Sequence, residues 1–132
     1  MEEIKAGDIM LNNWFIGYDG KPFQWDAECF YLIQGVVSTN ELINKPIPLT
    51  EDILLKAGAN RIEENKVAIM LNDPSTHLVL MKVGTHWYPT IEQVDELGEI
   101  RIVFLNYIDY LHQGQNLFKS LTGNDLKINI GV

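Results

Sequence analysis

Cysteine is nearly missing from this chain. Cys29 stands alone, so no intrachain disulfide can form and the fold must hold by packing. Positive charge is also scarce: ten Lys and Arg stand against eighteen Asp and Glu, for a net charge of −8. The basic residues Lys5, Lys21, Lys45, Lys56, Arg61, Lys66, Lys82, Arg101, Lys119 and Lys127 never adjoin. Nucleic-acid binding draws most of its affinity from Lys and Arg on phosphates, so a general DNA or RNA binder is not expected. Histidine is limited to His77, His86 and His112. No His-Glu-x-x-His, no cysteine pair and no Asp/Asn loop ending in Glu accompanies them, and the glycines form no phosphate-cradling loop, so neither a metal nor another cofactor is expected. Long apolar runs are lacking too. Stretches such as 68–71 and 78–81 are far too short to span a membrane, and the opening Met-Glu-Glu-Ile-Lys lacks a secretion signal's layout. A cytoplasmic setting is the expectation.

What is present describes a packed domain. Its 132 residues, 46% hydrophobic and 21% charged, suit one domain over 1–132 with a core of its own. Trp14, Phe15, Tyr18, Phe23, Trp25, Phe30 and Tyr31 crowd the first quarter, and no aromatic lies between Leu32 and His86. Residues 1–40 therefore read as an N-terminal β unit, and 41–132 as a helix, strands and a long helix. Residues 4–10 look like the opening strand of a small SH3-like barrel. Tyr18-Asp19-Gly20-Lys21 reads as a type I′ hairpin turn, and 30–37 as a third strand.

A loop with Asn40, Asn44, Pro46 and Pro48 follows. Thr50 then caps a short helix, Leu49 can staple onto Leu54, and Gly58 stops it. Segments 66–71 and 77–83 form a hairpin through Asn72-Asp73-Pro74-Ser75. Segment 86–94 reads as a strand pairing with 99–104 across the acidic turn Asp95-Glu96-Leu97-Gly98. The final helix is predicted over 106–122, capped by Asn106 with Asp109 reciprocating and closed by Gly123. At about 100° per residue, Tyr107, Leu111, Phe118 and Leu121 fall on the core side and Asp109, His112, Gln113 and Asn116 on a polar side. Gln115 lies at the border, where its amide should pin the helix to backbone groups of the sheet. The fold class expected is α+β: a small, mostly antiparallel sheet with an SH3-like N-terminal unit, one short helix, and one long C-terminal helix packed on the sheet.

Three stretches carry a resemblance. They are Pro46-Ile47-Pro48-Leu49-Thr50-Glu51-Asp52-Ile53-Leu54-Leu55-Lys56-Ala57-Gly58, Trp87-Tyr88-Pro89-Thr90-Ile91-Glu92-Gln93, and Tyr110-Leu111-His112-Gln113-Gly114-Gln115-Asn116-Leu117-Phe118 running on to Leu121-Thr122-Gly123. In this order the chain resembles a family of small uncharacterised proteins of phages, prophages and mobile elements of Bacteroides-type bacteria. That resemblance implies a setting and no reaction. The family more usually has a larger apolar residue at Gly114. Glycine inside a helix costs about 1 kcal/mol against alanine, so either a strand approaches closely there or the helix is softer.

Asp109, His112 and Asn116 lie three and four residues apart, so one reading makes His112 a base oriented by Asp109 and another makes the face merely solvated. Asp109, His112, Gln113 and Asn116 are the candidate interaction face. Cys29 lies near Asp26 and Glu28, which oppose a thiolate. The function expected is a non-enzymatic accessory protein of a phage or mobile element that binds an unidentified protein partner. The alternatives are a small hydrolase using His112 and a nucleic-acid-binding small barrel.

Overall fold

The computed structural model describes residues 4–35, 37–128 and 130. Two antiparallel sheets form. The smaller contains β1 (Trp14–Ile16), β2 (Pro22–Gln24) and β3 (Lys45–Pro46) in the order β2-β1-β3. The larger is a meander in chain order: β4 (Asn60–Glu63), β5 (Lys66–Met70), β6 (Thr76–Val83), β7 (His86–Val94) and β8 (Ile100–Phe104). The helices are α1 (Ala27–Ile33), α2 (Thr39–Leu42), α3 (Glu51–Lys56) and α4 (Leu111–Thr122). The molecule is thus α+β, mostly antiparallel sheet, with the longest helix at its C-terminal end.

Alternation along β1 divides the interior. Trp14 and Ile16 join the main core with Val67, Ile69, Leu78, Leu80 and Trp87 of the large sheet and with Leu54, Leu111 and Phe118 of the helices. Phe15, between them, points the other way into a second cluster with Ile9, Trp25 and Ile43. Successive strand residues face opposite sides, so three residues serve two cores. The two sheets are also stitched by extended chain. Leu49 N–H donates to Asp109 O (2.9 Å), Leu111 N–H to Ile47 O (2.8 Å), and Ile108 N–H to Trp87 O (2.8 Å). Strand pairing also crosses residue 40, because β1 pairs with β3 through Phe15 with Pro46 and Ile16 with Lys45.

The turn chemistry of the large sheet follows the sequence. Asp73 Oδ1 accepts the Ser75 N–H at 2.9 Å and closes the β5–β6 turn. Asp95 Oδ1 accepts from both Leu97 and Glu99 N–H at 2.9 Å, and Gly98 supplies the positive φ of 81° that the β7–β8 turn needs. Thr50 caps α3 by accepting the Ile53 N–H at 3.2 Å.

Four expectations are corrected. Residues 4–10 do not form the opening strand of an SH3-like unit. Ala6–Asp8 is a 3₁₀ turn that folds Ile4 and Ile9 onto the second cluster. The described residues of 30–37 do not form the expected strand either. Asp26 accepts the Cys29 N–H at 3.0 Å and starts α1, whose Cys29, Phe30 and Ile33 face the second cluster at helical spacing. A short apolar run suits a buried strand and a helix face equally, and the cap decided it. The expected loop around Asn40–Pro48 contains α2 and β3, so there are three short helices among the described residues, not one. In the β1–β2 hairpin only Gly20 among the tip residues takes a positive φ, 79°, so the turn is not type I′. The loop spans 17–21, closed by Gly17 N–H to Lys21 O at 2.9 Å.

The final helix starts later than expected. Residues 105–110 run extended beside β7 and 47–49, and Tyr110, not Asn106, is the N-cap. Gln113, rather than Asp109, reaches back: its Oε1 accepts the N–H groups of Asp109 (2.8 Å) and Tyr110 (3.1 Å). Tyr107, expected in the core, is consequently exposed; Phe118 and Leu121 are half-buried and Leu111 is fully buried. Gly123 ends the helix in the left-handed conformation, with φ 76°.

Candidate interaction surface

The structure disperses the four residues expected to share one polar face. Asp109 lies before α4 and pairs with His86, its Oδ1 2.5 Å from Nδ1 of that ring. The His86 ring in turn lies on Tyr107, with centroids 4.1 Å apart, and Tyr88 packs beside them. The Asp109–His112 couple therefore does not form.

His112 is only 4% exposed, and its ring sits against Phe15 with centroids 4.9 Å apart. Its Nδ1 has no hydrogen-bond partner among the described residues. Burial pushes its pKa from 6.5 down to about 4, and the Asp8 carboxylate opposes this only partly. Asn116 also turns inward. Its Oδ1 accepts from Asn13 Nδ2 and its Nδ2 donates to Asp8 O, each at 2.8 Å. Of the four, Gln113 alone is exposed at the surface, and its amide oxygen is held by the helix start. A contiguous solvated face is corrected to a clamp. The wheel located these residues on one side; it could not show that the chain 8–16 lies across that side.

Gln115 does what its border position implied. Its Oε1 accepts the Trp14 N–H at 2.9 Å and its Nε2 donates to Asn12 O at 3.0 Å. Gly114 is buried, and a Cβ there would meet Ile108 and Leu49 side-chain atoms at 3.7–3.9 Å, ordinary contact rather than a close strand. Cys29 is half-buried, and burial first, then Asp26 and Glu28, holds its thiol above its usual pKa.

The surface with unspent apolar area lies elsewhere, on the outer face of the large sheet. Register gives its rows: Ala68, Val79, Thr90 and Phe104 in one, and Met70, His77, Glu92 and Ile102 in the next. Met81 with Tyr88, and Val94 with Ile100, flank these rows. Ala68 and Val79 are buried at the floor, while Met70, Met81, Val94, Ile100, Ile102 and Phe104 are exposed. An open depression of about 1240 Å³ includes Met70, Val79 and Val94 of this face and extends around to Phe118 and Leu126 near the end of α4. The acidic turn containing Asp95, Glu96 and Glu99 borders the face beside β8.

Alternation explains why sequence reading passed over this face. A strand with one wet side should read apolar-polar, whereas β8 reads Ile-Arg-Ile-Val-Phe. Such a run suggests burial on both sides, and the structure places it at the sheet edge. Among the described residues no three His, Cys, Asp or Glu gather as a metal site, and no helix is long and apolar enough to cross a membrane. No family model, curated protein or solved structure matches the chain.

Proposed function

We propose that this protein is a non-enzymatic accessory protein that acts by holding another protein, the outer face of its large sheet being the contact surface. One observation carries the reading: large apolar side chains, Met70, Met81, Val94, Ile100, Ile102 and Phe104, share one exposed face. Large exposed apolar side chains gathered on one face in this way mark interaction sites on folded proteins. The partner that fits presents an apolar segment with a basic flank, because the acidic turn borders the face and the net charge is −8. The resemblance of the segments around Pro46–Gly58, Trp87–Gln93 and 110–123 to phage and mobile-element proteins supports the setting of such a role.

The test is affinity capture from host cells with the native protein and with a Met81→Glu/Val94→Lys double variant, which keeps the net charge. Loss of one captured protein with the variant, and weakening of the native complex by salt, is the expected result. Undiminished, salt-insensitive capture by the double variant refutes this surface.

A further inference from the structure

The two edges of the large sheet are built differently. β4, at one edge, reads Asn-Arg-Ile-Glu, and its pairing with β5 is broken by an irregularity between Arg61 and Glu63. Charge and bulges of this kind blunt an edge against further pairing. β8, at the other edge, has one charge, Arg101, among four apolar residues, all of them exposed, with Phe104 at 80% and Ile102 at 48%. No described residue covers its outer backbone edge.

The phase of the hydrogen bonds on that edge can be read directly. Asp95 N–H donates to Glu99 O (2.9 Å) and Leu105 N–H to Pro89 O (3.1 Å), so 99 and 105 turn their polar groups toward β7. Because antiparallel partners alternate, 101 and 103 do the same, and Ile100, Ile102 and Phe104 point their N–H and C=O outward. These outward residues are symmetric about Ile102.

We propose that β8 pairs antiparallel with β8 of a second copy of this chain, about a two-fold axis at Ile102, to make one continuous ten-stranded sheet. This goes beyond the partner-binding reading and does not depend on it. Placing Ile102 opposite Ile102 of the second copy aligns three hydrogen-bonded pairs: Ile102 with Ile102, and Ile100 with Phe104 twice. The same register sets branched and aromatic side chains opposite one another on the outer face, pairings that stabilise sheets. Arg101 falls opposite Val103 of the second copy. Shifting the axis to Arg101 would set two arginines face to face and lose one hydrogen-bonded pair. A foreign strand could use the same backbone groups, but a second copy brings the matching outward residues Ile100, Ile102 and Phe104 itself. The assembly also closes on itself, because pairing consumes both β8 edges and leaves only the two protected β4 edges.

The experiment is sedimentation velocity over a concentration series, with variants chosen to leave the monomer fold alone. The native chain should sediment at about 30 kDa, twice its 15.1 kDa mass, at high concentration and dissociate on dilution. Ile102→Lys should stay monomeric throughout. In the monomer the new lysine faces Glu92 across the strands, but in the dimer it faces its own copy. Met81→Glu, on the outer face away from the seam, should dimerise like the native chain. Mixing Arg101→Cys with Val103→Cys, both carrying Cys29→Ser, should give a disulfide-linked heterodimer, and neither variant alone should link efficiently. A native chain monomeric at all concentrations, or an Ile102→Lys dimer with unaltered affinity, overturns the proposal. A dimer abolished by Met81→Glu but kept by Ile102→Lys would mean face-to-face packing and overturns it equally. Circular dichroism of each variant separates loss of pairing from loss of fold.

Discussion

His112 is the one buried histidine of the three. It sits against Phe15 with one ring nitrogen unpartnered, and its pKa is lowered from 6.5 to about 4. Between those two pH values the unfolded chain binds a proton that the folded chain does not, so stability rises with pH across the window. Acidification from pH 6.5 to about 4 should therefore remove roughly 3 kcal/mol, and His112 should remove nothing further below that. His112→Leu keeps the volume and abolishes the proton, so its denaturation midpoint should be flat over the window after correction for other groups. A slope equal to the native one would mean His112 is not the titrating residue. Cys29 provides the opposite case. It has no disulfide partner and a thiol held above its usual pKa, so Cys29→Ser should shift stability by less than about 1 kcal/mol and leave partner capture intact.

At the scale of elements, α4 shows how far a sequence reaches. Its closing Gly123, the burial of Leu111 and the amide role of Gln115 were all legible, because each depends on helix period and local hydrogen bonding. Its start was not, because residues 105–110 are drawn into extended pairing with Trp87 and Ile47, partners distant in sequence. The same tertiary pull makes an inward clamp of Asn116 and His112. The meander from β5 to β8 was legible through Asp73, Asp95 and Gly98, whose turns are local. α1 was misread because Asp26, its cap, is only decisive once the apolar run after it is known to be helical. Two substitutions test the helix itself. Gly114→Ala has room for its Cβ and should add about 0.5–1 kcal/mol, read as a raised melting temperature. Gln115→Leu leaves the Trp14 N–H buried without its acceptor and should cost about 1–3 kcal/mol. Destabilisation by Gly114→Ala would show that the helix is packed more tightly against Leu49 than its geometry indicates.

For the whole molecule, the governing contrast on the five-stranded sheet is between an inner side that buries Val67, Ile69, Leu78, Leu80 and Trp87 and an outer side left uncovered. Trp14, Trp25 and Trp87 are buried, so the native state should give a strong near-ultraviolet dichroism signal. A dye that fluoresces on apolar surfaces normally reports the loss of such packing. Here it should bind while packing is intact, because Met70, Met81, Val94 and Ile102 are exposed in the folded state. Met81→Glu places a carboxylate opposite Lys66, and Val94→Lys places an ammonium beside the acidic turn. Neither disturbs a buried group, so the double variant should keep its near-ultraviolet signal and lie within about 1 kcal/mol of native stability. Its dye fluorescence at neutral pH should fall several-fold. A dye signal unchanged by the double variant would locate the apolar surface elsewhere, among exposed side chains such as Leu11, Tyr31 and Leu97. A signal lost together with the dichroism would show that the outer face holds the fold together, and that covering it is the sheet's own business rather than a partner's.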